Sequence, residues 1–132
     1  MEVSIDRIFE YLSTDNSEEI QKRGIELASK IKSLSVLILP SESKWIWENC
    51  AKVLVSKSDE ELQRHIYELL EWLKDMNWPG ADLIYERLTY VSPELFLSAY
   101  KYSVSLAQQT HDRVWEMALK DLFVEWNKRH KV

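Results

Sequence analysis

Turn-forming residues are scarce in this sequence, and that constrains the fold more than anything else in it. Two glycines, Gly24 and Gly80, and three prolines, Pro40, Pro79 and Pro93, serve 132 residues. A sandwich or barrel of short strands needs turn signals roughly every 8–12 residues, which this chain does not supply. Helices joined by short polar loops are the remaining solution. Apolar residues make up 45% of the chain, enough for one domain with a real core and too many for a disordered segment.

The apolar spacing places about seven helices. Ile5, Ile8, Phe9 and Leu12 predict a first helix over residues 3–13. Ser17 caps a second, with Ile20, Leu27, Ala28, Ile31 and Leu34 on its apolar face. Gly24 falls on that face, where close helix packing accounts for it. Residues 35–43 stay open between a helix end and a buried extended segment stopped by Pro40. A third helix is expected over Lys44–Val55, with Trp47, Cys50, Ala51 and Leu54 on one face. Ser58-Asp59-Glu60-Glu61 is a capping box. It opens a fourth helix that runs to about Asp75 on a Leu62, Ile66, Leu69, Leu70 and Leu73 stripe. Pro79 suits the first turn of a fifth helix, carrying Ile84, Leu88 and Val91. Ser92-Pro93-Glu94 starts a sixth in the same way, with Leu95, Ala99, Tyr102 and Leu106. A seventh begins near Asp112 and turns Trp115, Ala118, Leu119, Leu122 and Trp126 inward, before a basic, frayed tail from Asn127 to Val132. The expectation is therefore all-α, one domain over residues 1–132.

Leucine followed four residues on by a small polar residue recurs at Leu12/Asn16, Leu54/Ser58, Leu73/Asn77 and Leu106/Thr110, each at a predicted helix end. The best internal alignment pairs Tyr11-Leu12 with Trp72-Leu73 and Asn16 with Asn77. Antiparallel helical hairpins stacked as a short HEAT-like repeat would produce this pattern. The stretch Trp72-Leu73-Lys74-Asp75-Met76-Asn77-Trp78-Pro79, followed by Gly80-Ala81, resembles the signature of a family of small bacterial all-helical domains with a Leu-x-Asp-Met-Asn-Trp-Pro-x-Ala pattern and no described activity. That family is itself similar to HEAT-type repeats. Gly80 stands where the family usually has a larger aliphatic residue, which loosens the local packing. Small helical-repeat proteins of this kind resemble bacterial immunity proteins, which neutralise a toxin made by the same cell. The resemblance implies that class and supplies no catalytic residues.

Charge singles out the middle of the chain. Residues 59–86 hold eight acids against two bases, whereas residues 1–58 hold nine against eight and residues 87–132 five against seven. On a continuous fourth helix, Glu61, Glu68, Glu71 and Asp75 share one stripe with Trp72 at its edge, and Asp82 and Glu86 add charge on the next helix. An ordinary solvated face has the same pattern. Stacked like charges oppose helix stability, however, and a cationic partner would relieve them. Trp45 and Trp47, two apart, point to different sides of their helix, so one of them is expected at the surface as an anchor.

Signals for chemistry are poor. His65, His111 and His130 are isolated, and no metal motif joins them. Cys50, the single cysteine, sits on an apolar stripe and reads as a buried structural thiol. Glu68 and Glu71, one turn apart, make an ordinary surface carboxylate pair. No cofactor and no metal are expected. The acidic centre argues against a nucleic-acid track despite Lys128, Arg129 and Lys131. No run is long enough to span a membrane and no signal peptide is evident, so a cytoplasmic protein is the default. Three readings follow: an immunity-type protein occluding a basic toxin domain, such as a nuclease; a general protein-binding adaptor using Trp45 or Trp47; and an enzyme whose site has no recognisable motif.

Overall fold

The computed structural model describes residues 3–131. Among them the chain forms eight α-helices and no strand: α1 (Ile5–Tyr11), α2 (Glu18–Ala28), α3 (Trp47–Val55), α4 (Asp59–Leu62), α5 (Ile66–Glu71), α6 (Ala81–Leu88), α7 (Pro93–Gln109) and α8 (Arg113–His130). Four of the eight helix starts fall where a polar side chain accepts an otherwise free N–H. Ser4 accepts from Arg7, Ser17 from Ile20 and Asp112 from Trp115. The Ser58 capping box closes in both directions, Glu61 N–H donating to Ser58 Oγ and Ser58 N–H to Glu61 Oε1. α1 packs on α2 and α7 on α8; α3 lies between α2 and α6, and α5 lies against α7. Gly24 makes the first of these contacts possible: a Cβ there would stand 2.9 Å from Tyr11 Cβ. One core runs through the elements from Ile8 to Trp126.

The long fourth helix expected over residues 59–75 is instead three pieces. α4 ends at Leu62, residues 63–65 turn, α5 runs to Glu71, and a 3-10 turn covers Trp72–Lys74. The core stripe survives, since Leu62, Ile66, Leu69, Leu70 and Leu73 are all buried. The two halves are held by different partners. The Asp59 carboxylate takes Arg87 at 2.7 Å and the Ser92 N–H at 2.9 Å, while α5 follows α7. Tertiary contacts of this kind override local periodicity.

Smaller departures have similar causes. Residues 35–43 are neither a helix end nor a strand: a 3-10 turn over Leu34–Leu37 leads into a loop in which Leu39 has φ 47°. Lys44–Ile46 form a 3-10 turn ahead of α3. Pro79 precedes α6 by two residues, and Gly80 occupies the N-cap position. α7 buries Phe96, Ala99, Ser103 and Ala107, leaving Tyr102 exposed, so its inner face is turned by about one residue from the expected one. Ile20 on α2 is likewise exposed. The basic tail is helical through His130. Arg129 donates to Glu86 and to Thr89 Oγ1, and the His130 ring stacks on Trp126 at 4.1 Å. Val132 lies outside the described residues. Asn16 and Asn77, aligned as repeat equivalents, do different work. The Asn16 amide donates to the last carbonyls of α1, Glu10 and Tyr11, whereas Asn77 offers only its backbone N–H to Asp75.

Four buried tryptophans tie backbone carbonyls to the core, three in connecting segments and one near the end of α5. The indole N–H groups of Trp47, Trp72, Trp115 and Trp126 donate to the carbonyls of Pro40, Pro79, Leu70 and Val91, at 2.6, 3.0, 2.9 and 2.7 Å. A large apolar ring with one donor satisfies a loop carbonyl that would otherwise be buried unpaired. Asn49 on α3 performs the same service for the α1–α2 connection: its Nδ2 donates to Leu12 O at 2.8 Å and to Gln21 Oε1 at 2.9 Å. Its Oδ1 is buried with no partner among the described residues. Flipping the amide would set its oxygen against the Leu12 carbonyl, so the orphan oxygen follows from the network and costs on the order of 1–3 kcal/mol.

Candidate functional site

The acidic centre of the sequence folds around the turn from Asp75 to Gly80. Asp75 Oδ1 accepts the Asn77 N–H at 2.8 Å, and the Trp78 N–H bonds back to Asp75 O at 3.0 Å. Trp72 reaches across to Pro79 O, closing the turn from below. Trp47 meets both Trp72 and Trp78 edge-on, with centroids 5.8 and 5.4 Å away. The Lys44 ammonium lies over the Trp47 and Trp78 rings, and that of Lys74 lies 4.7 Å from the Trp115 centroid. Gly80 is indispensable here. Its φ is 84°, and a Cβ would lie 2.6 Å from Ala51 Cβ. The expectation that Gly80 loosens the packing is therefore reversed: it permits the closest approach between the turn and α3.

The carboxylates expected on the fourth-helix stripe and on the next helix divide into two groups. Three are engaged internally: Glu61 in the capping box with Lys57 at 3.9 Å, Glu68 beside His65 at 3.3 Å, and Glu86 with Arg129 at 2.7 Å. The Ser58 backbone N–H is the main reason the Glu61 carboxyl ionises below its ordinary range. The stripe does not exist as drawn, because the break after Leu62 separates Glu61 from the α5 acids. Glu71, Asp75 and Asp82 have no cationic partner within 4 Å among the described residues; they flank the turn on its two sides. Asp82 is fully on the surface in the first turn of α6. Met76 and Asn77 form the exposed tip between them. Met76 was not singled out by spacing. The signal for it was its place between two acids in a turn, where a flexible thioether can adapt to a partner.

Of the aromatic candidates, Trp72 and Trp47 are buried and hydrogen-bonded inside, so neither stands at the surface as an anchor. Trp45 is the exposed member of its pair, at 61% of its full accessible area. The α3 register explains the difference: Trp47 faces Trp72, and Trp45 sits in the preceding 3-10 turn with its backbone N–H on Ser43 Oγ.

The model of a family described as Domain of unknown function (DUF5071) matches residues 47–131. The chain belongs to this family. The DUF5071 segment begins at the first residue of α3 and contains the turn, its three free carboxylates and all four tying tryptophans, of which only Trp47 reaches a carbonyl outside it, that of Pro40. Within the DUF5071 segment, Asp59, Arg87 and Ser92 form a tie that sequence spacing gave no means to find, since the partners are 28 and 33 residues apart. No curated protein and no solved structure matches the chain.

Cys50, also in the DUF5071 segment, is fully buried. Burial, with a smaller contribution from Glu42, pushes its thiol from 9.0 up to about 12. The thiol form is therefore held in the native protein while the unfolded chain ionises, so this group lowers stability as pH rises above 9.0. A disulfide reagent at pH 8 is expected to leave the native protein unmodified and to react with one thiol per chain once denaturant is added. Rapid modification without denaturant would show that α3 opens locally.

Proposed function

We propose that this chain is an immunity-type binding protein that neutralises a basic toxin domain, such as a nuclease, by occluding its active surface. The observation that carries this reading is the triad Glu71, Asp75 and Asp82, free of internal cations and flanking a turn fixed by Trp72 and Gly80. A preformed anionic surface with an adaptable apolar tip, Met76, suits a surface rich in Lys and Arg. Such charge complementarity accelerates capture, which matters when the free target is lethal. The chain itself would do no chemistry. The HEAT-like resemblance of the helical hairpins supports the same class, and a cytoplasmic location follows from it as part of the proposal. No helix among the described residues is long and apolar enough to cross a membrane.

The test is affinity purification of the tagged chain from its native cells, washed at increasing salt, with the retained polypeptide identified by mass spectrometry. Reversing charge in Glu71→Lys with Asp82→Lys is expected to weaken the complex about 100-fold, as for two close charge contacts, and to leave the unfolding midpoint nearly unchanged. Asp75 is spared because it also holds the turn. Undiminished affinity in the double variant would rule out this face. The adaptor reading is favoured by one observation, the exposed Trp45. It predicts that Trp45→Ala abolishes binding while the charge reversals do little.

A further inference from the structure

We propose that the groove between α1 and residues 35–46 is a docking site for an extended, basic segment of a protein partner. Two adjoining clefts of about 260 and 360 Å³ share Asp6, Phe9 and Glu42 and so form one continuous trough. Its floor is apolar, with Phe9 and Ile46 at one end and Val36, Leu39 and Pro40 at the other. Its rim is acidic, carrying Asp6, Glu10 and Glu42, all exposed. No lysine or arginine lines either cleft, and none of the three carboxylates has a cationic partner within 4 Å among the described residues. Nor do they come together as a group that could ligate a metal ion.

An apolar floor under a spaced acidic rim complements a Lys or Arg side chain. The aliphatic stem covers Phe9 and Ile46 while the head meets the carboxylates. The two clefts adjoin, so an extended segment laid across both can place side chains in each. Trp45 stands beside it. Its N–H donates to Ser43 Oγ at 3.1 Å, and its carbonyl accepts the Thr14 N–H at 3.0 Å; Ser43 and Ser13, the neighbour of Thr14, both line the first cleft. The exposed indole therefore offers a ring face to a second cation or to an apolar residue of the same segment. The groove is lined entirely by residues 5–46, ahead of the family-matched segment 47–131. It is independent of the Glu71, Asp75 and Asp82 surface.

The test titrates the full ¹⁵N-labelled chain with a synthetic peptide of alternating arginine and leucine, and with a glutamate–leucine peptide as control. The expected result is amide shifts centred on Phe9, Glu10, Ser43 and Ile46. Asp6→Asn with Glu42→Gln is expected to weaken binding about tenfold, and Glu71→Gln with Asp82→Asn less than about twofold. No binding, shifts centred instead on residues 75–80, equal affinity for the glutamate peptide, or undiminished affinity in the Asp6/Glu42 variant would each overturn the docking site. Of these results only shifts centred on residues 75–80 touch the occlusion reading, and in its favour; failure of that reading is read separately, from the cellular complex and the Glu71/Asp82 reversal.

Discussion

Trp72→Ala is expected to remove about 4 kcal/mol of folding stability, the range measured for deleting a fully buried aromatic ring. Trp72 is wholly enclosed, touches Trp47 edge-on and holds Pro79 O through its indole N–H. The alanine variant loses the ring's burial, leaves a cavity next to Trp47, and orphans a carbonyl under the turn. Trp45→Ala is expected to change stability by less than about 0.5 kcal/mol, as is usual for an exposed side chain. Urea denaturation of both variants checks the pair. A Trp72→Ala midpoint close to that of the parent would mean that the ring is not part of the core. Comparing the two also separates stability from binding: a lost partner interaction in Trp45→Ala is a direct effect, whereas one in Trp72→Ala follows from the fold.

Gly80→Ala is expected to cost about 3 kcal/mol, combining the left-handed conformation of an L-residue with overpacking of a filled site. The two contributions can be told apart. The overpacking is a 2.6 Å approach to Ala51 Cβ, and that atom can be removed. Ala51→Gly alone should cost about 1 kcal/mol, as glycine does inside a helix. Together with Gly80→Ala it should recover roughly 1–2 kcal/mol relative to the sum of the two single changes. Strict additivity in the double-mutant cycle would show that contact with Ala51 Cβ is not the source of the cost, leaving the backbone conformation and the 3.1 Å approach to Trp47 O. Because Gly80 joins the turn carrying Asp75 to the helix carrying Asp82, the same variant is expected to weaken binding at the proposed surface.

Local signals were legible wherever chemistry and spacing agreed. The Ser58–Glu61 capping box, the caps at Ser17 and Asp112, and the proline-started α7 all follow from adjacent residues. Buried stripes on α3, α5 and α8 were equally visible, since each apolar face there is continuous. What periodicity could not supply was the consequence of distant contacts. The break between α4 and α5 leaves the two pieces with different distant partners, Arg87 and Ser92 for Asp59 and α7 for α5, and it dismantles the acidic stripe that a continuous helix would have presented. The same limit applies to the carboxylates. Glu86 has the same sequence-level appearance as Asp82, yet Arg129, 43 residues away, occupies it. For the tryptophans, spacing placed one of Trp45 and Trp47 outside. It could not say which, because that choice is made by Trp72 and Trp78 on a separate part of the chain.

The four indole donors have a consequence for how the molecule comes apart. Three fasten connecting segments, at Pro40, Pro79 and Val91, and the fourth holds Leu70 near the end of α5, each to a ring that belongs to the common core. Such a segment cannot swing free without withdrawing its tryptophan's partner from a dry interior, so it lacks the cheap local opening typical of loops. Connections that would ordinarily be the first points of protease attack then share the lifetime of the whole native state. Durability of the native state would then reside in its loops as much as in its helices.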